Sequence, residues 1–398
     1  MTPHENSLSI DLSPARWIWF PSQRCLPNTF ILFRREIVLD AAPVRCTGWL
    51  TADSRYLLTV NGQRVQWGPA PCDPRWQDVD PVDLTAYLKP GKNVIGVEVL
   101  YYGGGDGTWA MGSPGMICRL ELESNGTVEQ ILSGDSWLAY LDRAHRPGMH
   151  KRWFVRALQE EFDANLHPYG WDTPSFEVDE SWLPAQVLPG AAHLPAIFAG
   201  GPEYLLISDL DFDHTAAVMS TGLEGFGLHK RSIPLMREWI VAAKGLREEG
   251  RVQWLRSPDD WFESRVPGSF RVERATIATR DGEDWILPAT AQKPEGIFVT
   301  FEFPEQIVGF PRFTIEAPAG TIVEMMTQEA HDPTNGPAWL DTHFYQWSRF
   351  ICREGTNQFE TFDFESFRWL QLHIRNASRP VRIRAVGARR RVYAWENQ

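Results

Sequence analysis

The sequence predicts an all-β protein built of tandem β-sandwich domains, and two observations support this prediction. Short segments of apolar or alternating apolar and polar residues recur along most of the chain, with turn residues between them. The apolar spacing expected of helices is almost absent. Short strands separated by frequent turns are typical of antiparallel sandwiches.

The first half of the chain is predicted to form one sandwich domain, over residues 15–200. Asn61-Gly62 lies between two predicted strands and is a strong signal for a tight hairpin turn. Gly91 is expected to adopt a positive φ just before another strand. Strands are predicted at 17–20, 30–39, 45–51, 56–60, 63–67, 93–100 and 116–123.

The second half is predicted to form another sandwich, over residues 291–398. Residues 201–290 show a weaker pattern, and we interpret them as a β-rich linking segment. A short helical insertion is predicted at 234–244, where Leu235, Trp239 and Ala242 would share one face. Strands of the second sandwich are predicted at 297–303, 310–315, 322–327, 344–353, 359–364, 368–374 and 381–386.

Composition argues against several classes of function. The net charge of −12 disfavours nucleic acid and anionic membrane surfaces, which both attract basic proteins. The basic cluster at 389–391 lies among alternating apolar residues and is interpreted as part of a strand. The sequence contains no run of about 18 apolar residues, so it predicts no membrane span. We therefore expect neither nucleic acid nor a membrane as partner.

The cysteines and the polar first residues point to a cytoplasmic protein without metal or cofactor. No pair of cysteines has the CxxC spacing of zinc or redox sites, and no secretory signal precedes the first domain. An odd number of scattered cysteines fits reduced thiols in a cytoplasm. The five cysteines are Cys25, Cys46, Cys72, Cys118 and Cys352.

Catalytic motifs with a recognisable spacing are missing from the sequence. It contains no GxSxG, HExxH, P-loop or GxGxxG pattern, and the glycine-rich stretch 103–107 is interpreted as a loop. Glycoside hydrolysis needs one carboxylic acid and one carboxylate on either side of the glycosidic bond. Spacing along the sequence alone cannot identify these two residues. The candidate clusters are Glu160, Glu161 and Asp163, and Glu329, Asp332 and Asp341.

Aromatic residues are unusually frequent, with 18 Trp and 22 Phe. Most are expected in the cores, although an exposed aromatic ring can also stack on a sugar. Binding residues concentrate on loops of a rigid scaffold, so two loop sets of the first sandwich are candidate carbohydrate-binding sites. Each combines an acceptor, a donor and an aromatic face: Asp106, Thr108 and Trp109, and Asp73, Arg75 and Trp76.

Short motifs follow one another in an order that is itself informative. They occupy 17–19, 33–35, 52–56, 60–62, 68–69, 83–85, 88–93, 134–137, 160–164, 170–171, 181–182, 231–238, 317–321, 328–330 and 364–370. In this order they resemble the N-terminal, non-catalytic β-sandwich domains of bacterial α-L-rhamnosidases, which are glycoside hydrolases of the family 78 type. One motif departs from the family pattern, at 302–306, where the family usually shows a turn.

The resemblance implies a galactose-binding-like jelly roll for the first sandwich and a concanavalin-like second sandwich. In the family, the catalytic carboxylates lie on a helical barrel that follows these domains, and its motifs are missing here. We therefore expect an accessory portion that binds or positions rhamnose-containing glycans without hydrolysing them alone. A separate catalytic chain would be a fitting partner. The alternatives are a stand-alone hydrolase with a carboxylate site between the sandwiches, and a structural scaffold without sugar affinity.

Overall fold

The computed structural model describes residues 8–103, 111–147, 160–198, 203–204, 226–258, 268–290, 295–340 and 347–395. The chain divides into two compact units. Unit 1 comprises Met1–Arg143 and Pro168–Ile233, and unit 2 comprises Ala144–His167 and Pro234–Gln398. In the described ranges, one short 3-10 helix, Ala196–Phe198, accompanies the strands, and no helix is long and apolar enough to cross a membrane.

Strands account for nearly all regular structure, which confirms the all-β prediction. The first fourteen are β1 Ile18–Trp19, β2 Arg24–Cys25, β3 Thr29–Leu39, β4 Arg45–Asp53, β5 Arg55–Val60, β6 Gln63–Gly68, β7 Trp76–Asp83, β8 Gly91–Tyr101, β9 Gly115–Ser124, β10 Thr127–Leu132, β11 Leu138–Leu141, β12 Glu161–Asp163, β13 Leu183–Pro184 and β14 Gln186–Val187. The others are β15 Glu203–Tyr204, β16 Gly227–Lys230, β17 Arg237–Ala242, β18 Gly245–Trp254, β19 Phe270–Arg274, β20 Thr279–Asp281, β21 Asp284–Leu287, β22 Glu295–Ala317, β23 Ile322–Gln328, β24 Trp347–Ile351, β25 Gly355–Glu360, β26 Glu365–Arg375 and β27 Val381–Val392.

Unit 1 is a sandwich of two sheets. One has the order β14-β1-β9-β4-β7-β16, with β10 paired to β9, and the other has the order β13-β11-β3-β8-β5-β6. Alternate residues of both sheets enter one core, which includes Trp17, Trp19, Phe33 and Trp137. Most of the large aromatic side chains therefore serve packing, as expected of their size.

The predicted hairpin at Asn61-Gly62 is confirmed. Val60 pairs with Gln63 across the turn, and both turn residues have positive φ, 53° and 79°. Two positive φ values identify the turn type that matches the twist of antiparallel strands. Gly91, the first residue of β8, has the predicted positive φ, 90°.

Unit 2 is built on one twelve-stranded sheet around the long strand β22. The first half of β22 pairs with β26 and β18, and its second half pairs with β25 and β27. Side chains from both halves, among them Val299 and Phe313, enter the same core. The motif at 302–306 that departs from the family pattern lies inside β22, where the register with β26 shifts between Glu302 and Ile307.

The predicted helix at 234–244 is wrong. Residues Arg237–Ala242 form strand β17, which pairs antiparallel with β27 from Arg237↔Val392 to Ala242↔Gly387. Pairing with a long neighbouring strand outweighs a weak helical spacing of apolar residues. Residues 389–391 lie in β27, so the interpretation of the basic cluster as a strand is confirmed.

Candidate functional site

A cavity of about 320 Å³ with a mixed polar and apolar lining opens in unit 1 where β4 ends and β5 begins. The loop between β6 and β7 forms another side of it, with the rings of Pro69, Pro71 and Pro74. Its polar lining combines strand residues of both sheets with three residues outside the strands: Asp53, Arg55 and Gln77, and Ser54, Asp73 and Tyr102.

Asp53 is the last residue of β4 and is almost completely buried. Its Oδ1 accepts a hydrogen bond from Ser54 Oγ at 2.7 Å, and its Oδ2 accepts one from the backbone N–H of Ser113 at 3.0 Å. Burial raises the pKa of Asp53 to about 6, although both hydrogen bonds and the nearby Arg55 act in the opposite direction. The backbone of Gly112 passes so close to this carboxylate that a Cβ there would overlap it.

Gln77 lies on β7 and is 2% exposed. Its Nε2 donates to Thr51 Oγ1 at 3.3 Å, and the Thr51 hydroxyl donates its own proton to the carbonyl of Asp78 at 2.7 Å. Thr51 can therefore only accept from the amide, which fixes the orientation of the Gln77 side chain. Among the residues that the structure describes, no donor reaches Gln77 Oε1.

Arg55 lies beside this amide and carboxylate at the start of β5. Its guanidinium lies over the rings of Trp67 and Tyr102, 5.8 and 5.3 Å from their centroids. One nitrogen also donates to the carbonyl of Ser54 at 2.6 Å. Contacts with two aromatic faces hold a planar guanidinium in one position.

The structure brings the predicted residues Asp73, Arg75 and Trp76 together. Arg75 donates from Nε and Nη2 to the two oxygens of Asp73, at 2.9 and 2.6 Å, and lies 4.8 Å from the Trp76 ring centroid. Trp76 is 42% exposed, with Phe226 against its ring at 5.1 Å. Of the three, Asp73 lines the cavity, and Arg75 and Trp76 do not.

The other predicted set, Asp106, Thr108 and Trp109, lies outside the described residues. Sequence reasoning missed Asp53, Arg55 and Gln77 as site residues. In the sequence, the segment 52–56 is recognisable only as a family motif, and no local pattern indicates a function for Gln77. Their convergence depends on the pairing of distant strands.

The carboxylates that sequence reasoning proposed for hydrolysis all lie in unit 2, and Asp341 is outside the described residues. Each of the others is engaged in local contacts and lines neither the cavity of unit 1 nor a smaller one of about 150 Å³ in unit 2. Their partners are the N–H of Phe362 for Glu160, Arg146 and Arg349 for Glu161, the N–H of Asn165 for Asp163, Ser366 for Glu329, and the N–H groups of Thr334 and Asn335 for Asp332.

Comparison with known proteins gives a family match for part of the chain. Residues 42–200 match the model of the α-L-rhamnosidase N-terminal domain. A search of curated proteins found no match.

Solved rhamnosidases share the fold over nearly the whole chain. The GH78 rhamnosidase of Bacillus sp. GL1 is 17% identical with a TM-score of 0.71, covering 97% of this chain and 56% of that one. The α-L-rhamnosidase of Dictyoglumus thermophilum is 14% identical with a TM-score of 0.55, covering 96% and 36%. That of Aspergillus terreus is 18% identical with a TM-score of 0.55, covering 100% and 37%.

The chain thus spans 56%, 36% and 37% of the length of these three structures. At such identities the likeness establishes the fold, and the family match covers residues 42–200. The resemblance predicted from the ordered motifs is confirmed: residues 42–200 match the N-terminal domain of α-L-rhamnosidases, and the chain shares the fold of solved rhamnosidases.

Proposed function

We propose that the chain is a carbohydrate-associated accessory portion of an α-L-rhamnosidase-like glycoside hydrolase. It binds or positions rhamnose-containing glycans and does not hydrolyse them alone. The family match of residues 42–200 carries this proposal. The fold shared with proteins named rhamnosidases supports it.

The surroundings of the candidate carboxylates support the absence of hydrolysis. A glycosidase needs two carboxyl groups that flank an open space for the sugar. Glu160 is 3% exposed, and Glu161 is paired with Arg146 and Arg349, each at 3.3 Å. A carboxyl group that is buried or paired with two arginines in this way is not free to act on a sugar.

The surface around Trp76 supports carbohydrate binding. An indole ring that is 42% exposed offers an apolar face to the C–H groups of a sugar. Arg75, held by Asp73, lies over one face of this ring, 4.8 Å from its centroid, so that charged hydrogen-bonding groups adjoin the exposed part of the indole. A polar group beside an aromatic platform is the combination that sugars need.

Titration calorimetry of the full chain with methyl α-L-rhamnoside and rhamnose-terminated oligosaccharides tests the binding, and an aryl α-L-rhamnoside tests the hydrolysis. We expect saturable binding without turnover. Turnover that disappears in Glu160→Gln or Glu161→Gln would establish the stand-alone hydrolase instead. A chain that neither binds nor hydrolyses any rhamnoside would be a scaffold.

A separate catalytic chain is the protein partner that we propose. If the chain positions substrate for it, adding the chain should lower the KM of a rhamnosidase catalytic domain on a polymeric substrate and leave kcat unchanged. An aryl monorhamnoside is the control, because its hydrolysis does not require a glycan to be held elsewhere. No change in either substrate would argue against this partner.

A further inference from the structure

We propose that the exposed turn Asn125-Gly126 is a site of spontaneous deamidation, at which the Asn125 side chain is converted to a mixture of aspartate and isoaspartate. This modification is independent of the proposed carbohydrate function. It consumes only water, and the chain itself supplies the nucleophile. The sequence contains three Asn-Gly pairs, at 61–62, 125–126 and 335–336, and their surroundings in the structure differ.

Deamidation of an Asn-Gly pair is an intramolecular reaction. The glycine backbone nitrogen gives its proton to hydroxide and attacks Cγ of the asparagine, so that a C–N bond forms. The bond between Cγ and Nδ2 breaks, and the nitrogen leaves as ammonia after taking a proton from water. Water then opens the resulting succinimide at either carbonyl, which gives aspartate or isoaspartate. The reaction requires an asparagine amide that can rotate and a glycine N–H that can be released, and glycine favours it because no Cβ obstructs the ring closure.

Both requirements are met at Asn125-Gly126, the turn between β9 and β10. The two residues are exposed. In the described part of the chain, neither the Asn125 amide nor the Gly126 N–H makes a hydrogen bond. Apart from the adjoining residues, no described atom lies within 4 Å of the position that a Cβ of Gly126 would occupy. The amide can therefore rotate, and the glycine nitrogen is accessible to solvent.

The turn at Asn61-Gly62 combines the same backbone conformation with opposite surroundings. Its φ values of 53° and 79° match the 51° and 77° of Asn125-Gly126. The Gly62 N–H donates to the carbonyl of Asp172 at 3.0 Å. The Asn61 amide makes three hydrogen bonds, with the carbonyl of Tyr87 at 3.1 Å, Oδ1 of Asn93 at 2.8 Å and the N–H of Val94 at 3.0 Å. Ring closure at Asn61 would have to break these contacts, so this turn is a built-in control for Asn125.

The third pair, Asn335-Gly336, lies between these extremes. Asn335 is exposed, but its Nδ2 donates to Oδ2 of Asp332 at 3.3 Å. The Gly336 N–H donates to the carbonyl of Asp332 at 3.0 Å, so the nucleophile is held as well. We therefore expect deamidation to be fastest at Asn125, slower at Asn335 and slowest at Asn61.

The products would change the edge of unit 1. Aspartate adds a negative charge to a turn whose strands already carry Glu121, Glu123 and Glu129. Isoaspartate routes the backbone through Cβ and Cγ and so lengthens it by one carbon. Among the described strands β10 pairs with β9 alone, so the longer turn would disturb only this edge ladder.

Peptide mapping by mass spectrometry tests the proposal. The natural chain is incubated in native buffer at mildly alkaline pH, and the aspartate and isoaspartate formed at each pair are measured over time. Each hydrogen bond that must break before ring closure slows the reaction by about tenfold. We therefore expect conversion at Asn125 to exceed that at Asn335 by about tenfold, and that at Asn61 by a larger factor.

The same incubation in concentrated urea is the matched control. The unfolded chain keeps the three Asn-Gly pairs and loses the contacts around them, so their rates should agree within a few-fold. If Asn125 is not converted in native buffer, or is converted no faster than Asn61 and Asn335, the proposal is refuted. A native-like difference that persists in urea would refute it as well, because the neighbouring sequence and not the fold would then set the rates.

Asn125→Gln supplies a second readout. Glutamine keeps an exposed amide but must close a larger and much less favourable ring, so it deamidates far more slowly. Because deamidation adds a negative charge, the natural chain should develop a later-eluting form in anion-exchange chromatography during the incubation, and Asn125→Gln should not. Thermal unfolding should show that the variant is folded. A later-eluting form that develops equally in Asn125→Gln would place the reaction elsewhere in the chain and refute the proposal.

Discussion

Arg231 donates a hydrogen bond of 3.0 Å from Nη1 to Oδ1 of Asp80, and the two side chains are 1% and 0% exposed. The second oxygen of Asp80 accepts a hydrogen bond from the Tyr56 hydroxyl at 2.6 Å, which in turn accepts one from Gln66 at 2.7 Å. Burial, together with the charge of Asp80, raises the pKa of Tyr56 well above its usual value. The chain segment after β16 is thereby tied to β5, β6 and β7.

Replacing Arg231 with Met should lower the free energy of unfolding by about 3–5 kcal/mol, because the Asp80 carboxylate then stays buried without its cation. The double variant Asp80→Asn/Arg231→Met should recover part of this loss, since no unpaired charge remains. Urea denaturation followed by tryptophan fluorescence measures both. A double variant that is as unstable as the sum of the single ones would contradict this account.

Asp53 should make the stability of the chain depend on pH in its acidic range. Its pKa is about 6 in the folded state against an ordinary 3.8. The folded state therefore favours the protonated form, whose contribution is fully present below pH 3.8 and is lost as the pH rises through 6. Asp53→Asn should remove this dependence, which amounts to roughly 2–3 kcal/mol. Denaturation midpoints of the natural chain and of Asp53→Asn, measured from pH 4 to pH 8, should differ most at pH 8 and converge towards pH 4.

Glu160 is predicted to act in the same direction within unit 2. Burial is the main cause that raises the pKa of Glu160, with Asp363 adding to it and His145 opposing it. The stability that the protonated form provides is lost as the pH rises from 4.5 through the raised pKa of Glu160. Glu160→Gln keeps the acceptor for the Phe362 N–H, so it should be at least as stable as the natural chain at pH 8. A large loss at pH 8 would show that the charged form is required.

Trp76 should contribute to glycan affinity through its exposed face. Trp76→Ala is expected to weaken binding of a rhamnose-terminated oligosaccharide about tenfold, which corresponds to the loss of one aromatic contact. Trp395→Ala, at a tryptophan of unit 2 that is 58% exposed, is the matched control and should leave the affinity unchanged. Equal weakening by the two substitutions would argue against a role specific to Trp76.

Local signals were sufficient to predict much of the fold. The turn at Asn61-Gly62 and the strands beside it follow from backbone preferences and alternation, which act over a few residues. The error at Arg237–Ala242 has a different origin. Leu235 and Trp239, 37% and 42% exposed, have the spacing of an apolar helical face, while the decisive pairing with β27 comes from about 150 residues away.

The candidate site could be predicted only in part. Asp73, Arg75 and Trp76 are close in sequence, so their juxtaposition was visible as a loop motif. Gln77 and Asp53 meet in the cavity because β7 pairs with β4 and β5 follows directly, a relationship of register that no short segment contains. The unpaired Oε1 of Gln77 likewise depends on Thr51, which lies on the neighbouring strand.

The 23 residues of β22 have a consequence for how unit 2 opens. One backbone is shared by the ladders to β18, β25, β26 and β27, so we expect the two halves of the sheet to open together. Amide protons near Val299 and Phe313, though far apart along the strand, should exchange with deuterated water at closely similar rates. Proteases acting on native protein should accordingly cut the loops around this strand long before they reach it.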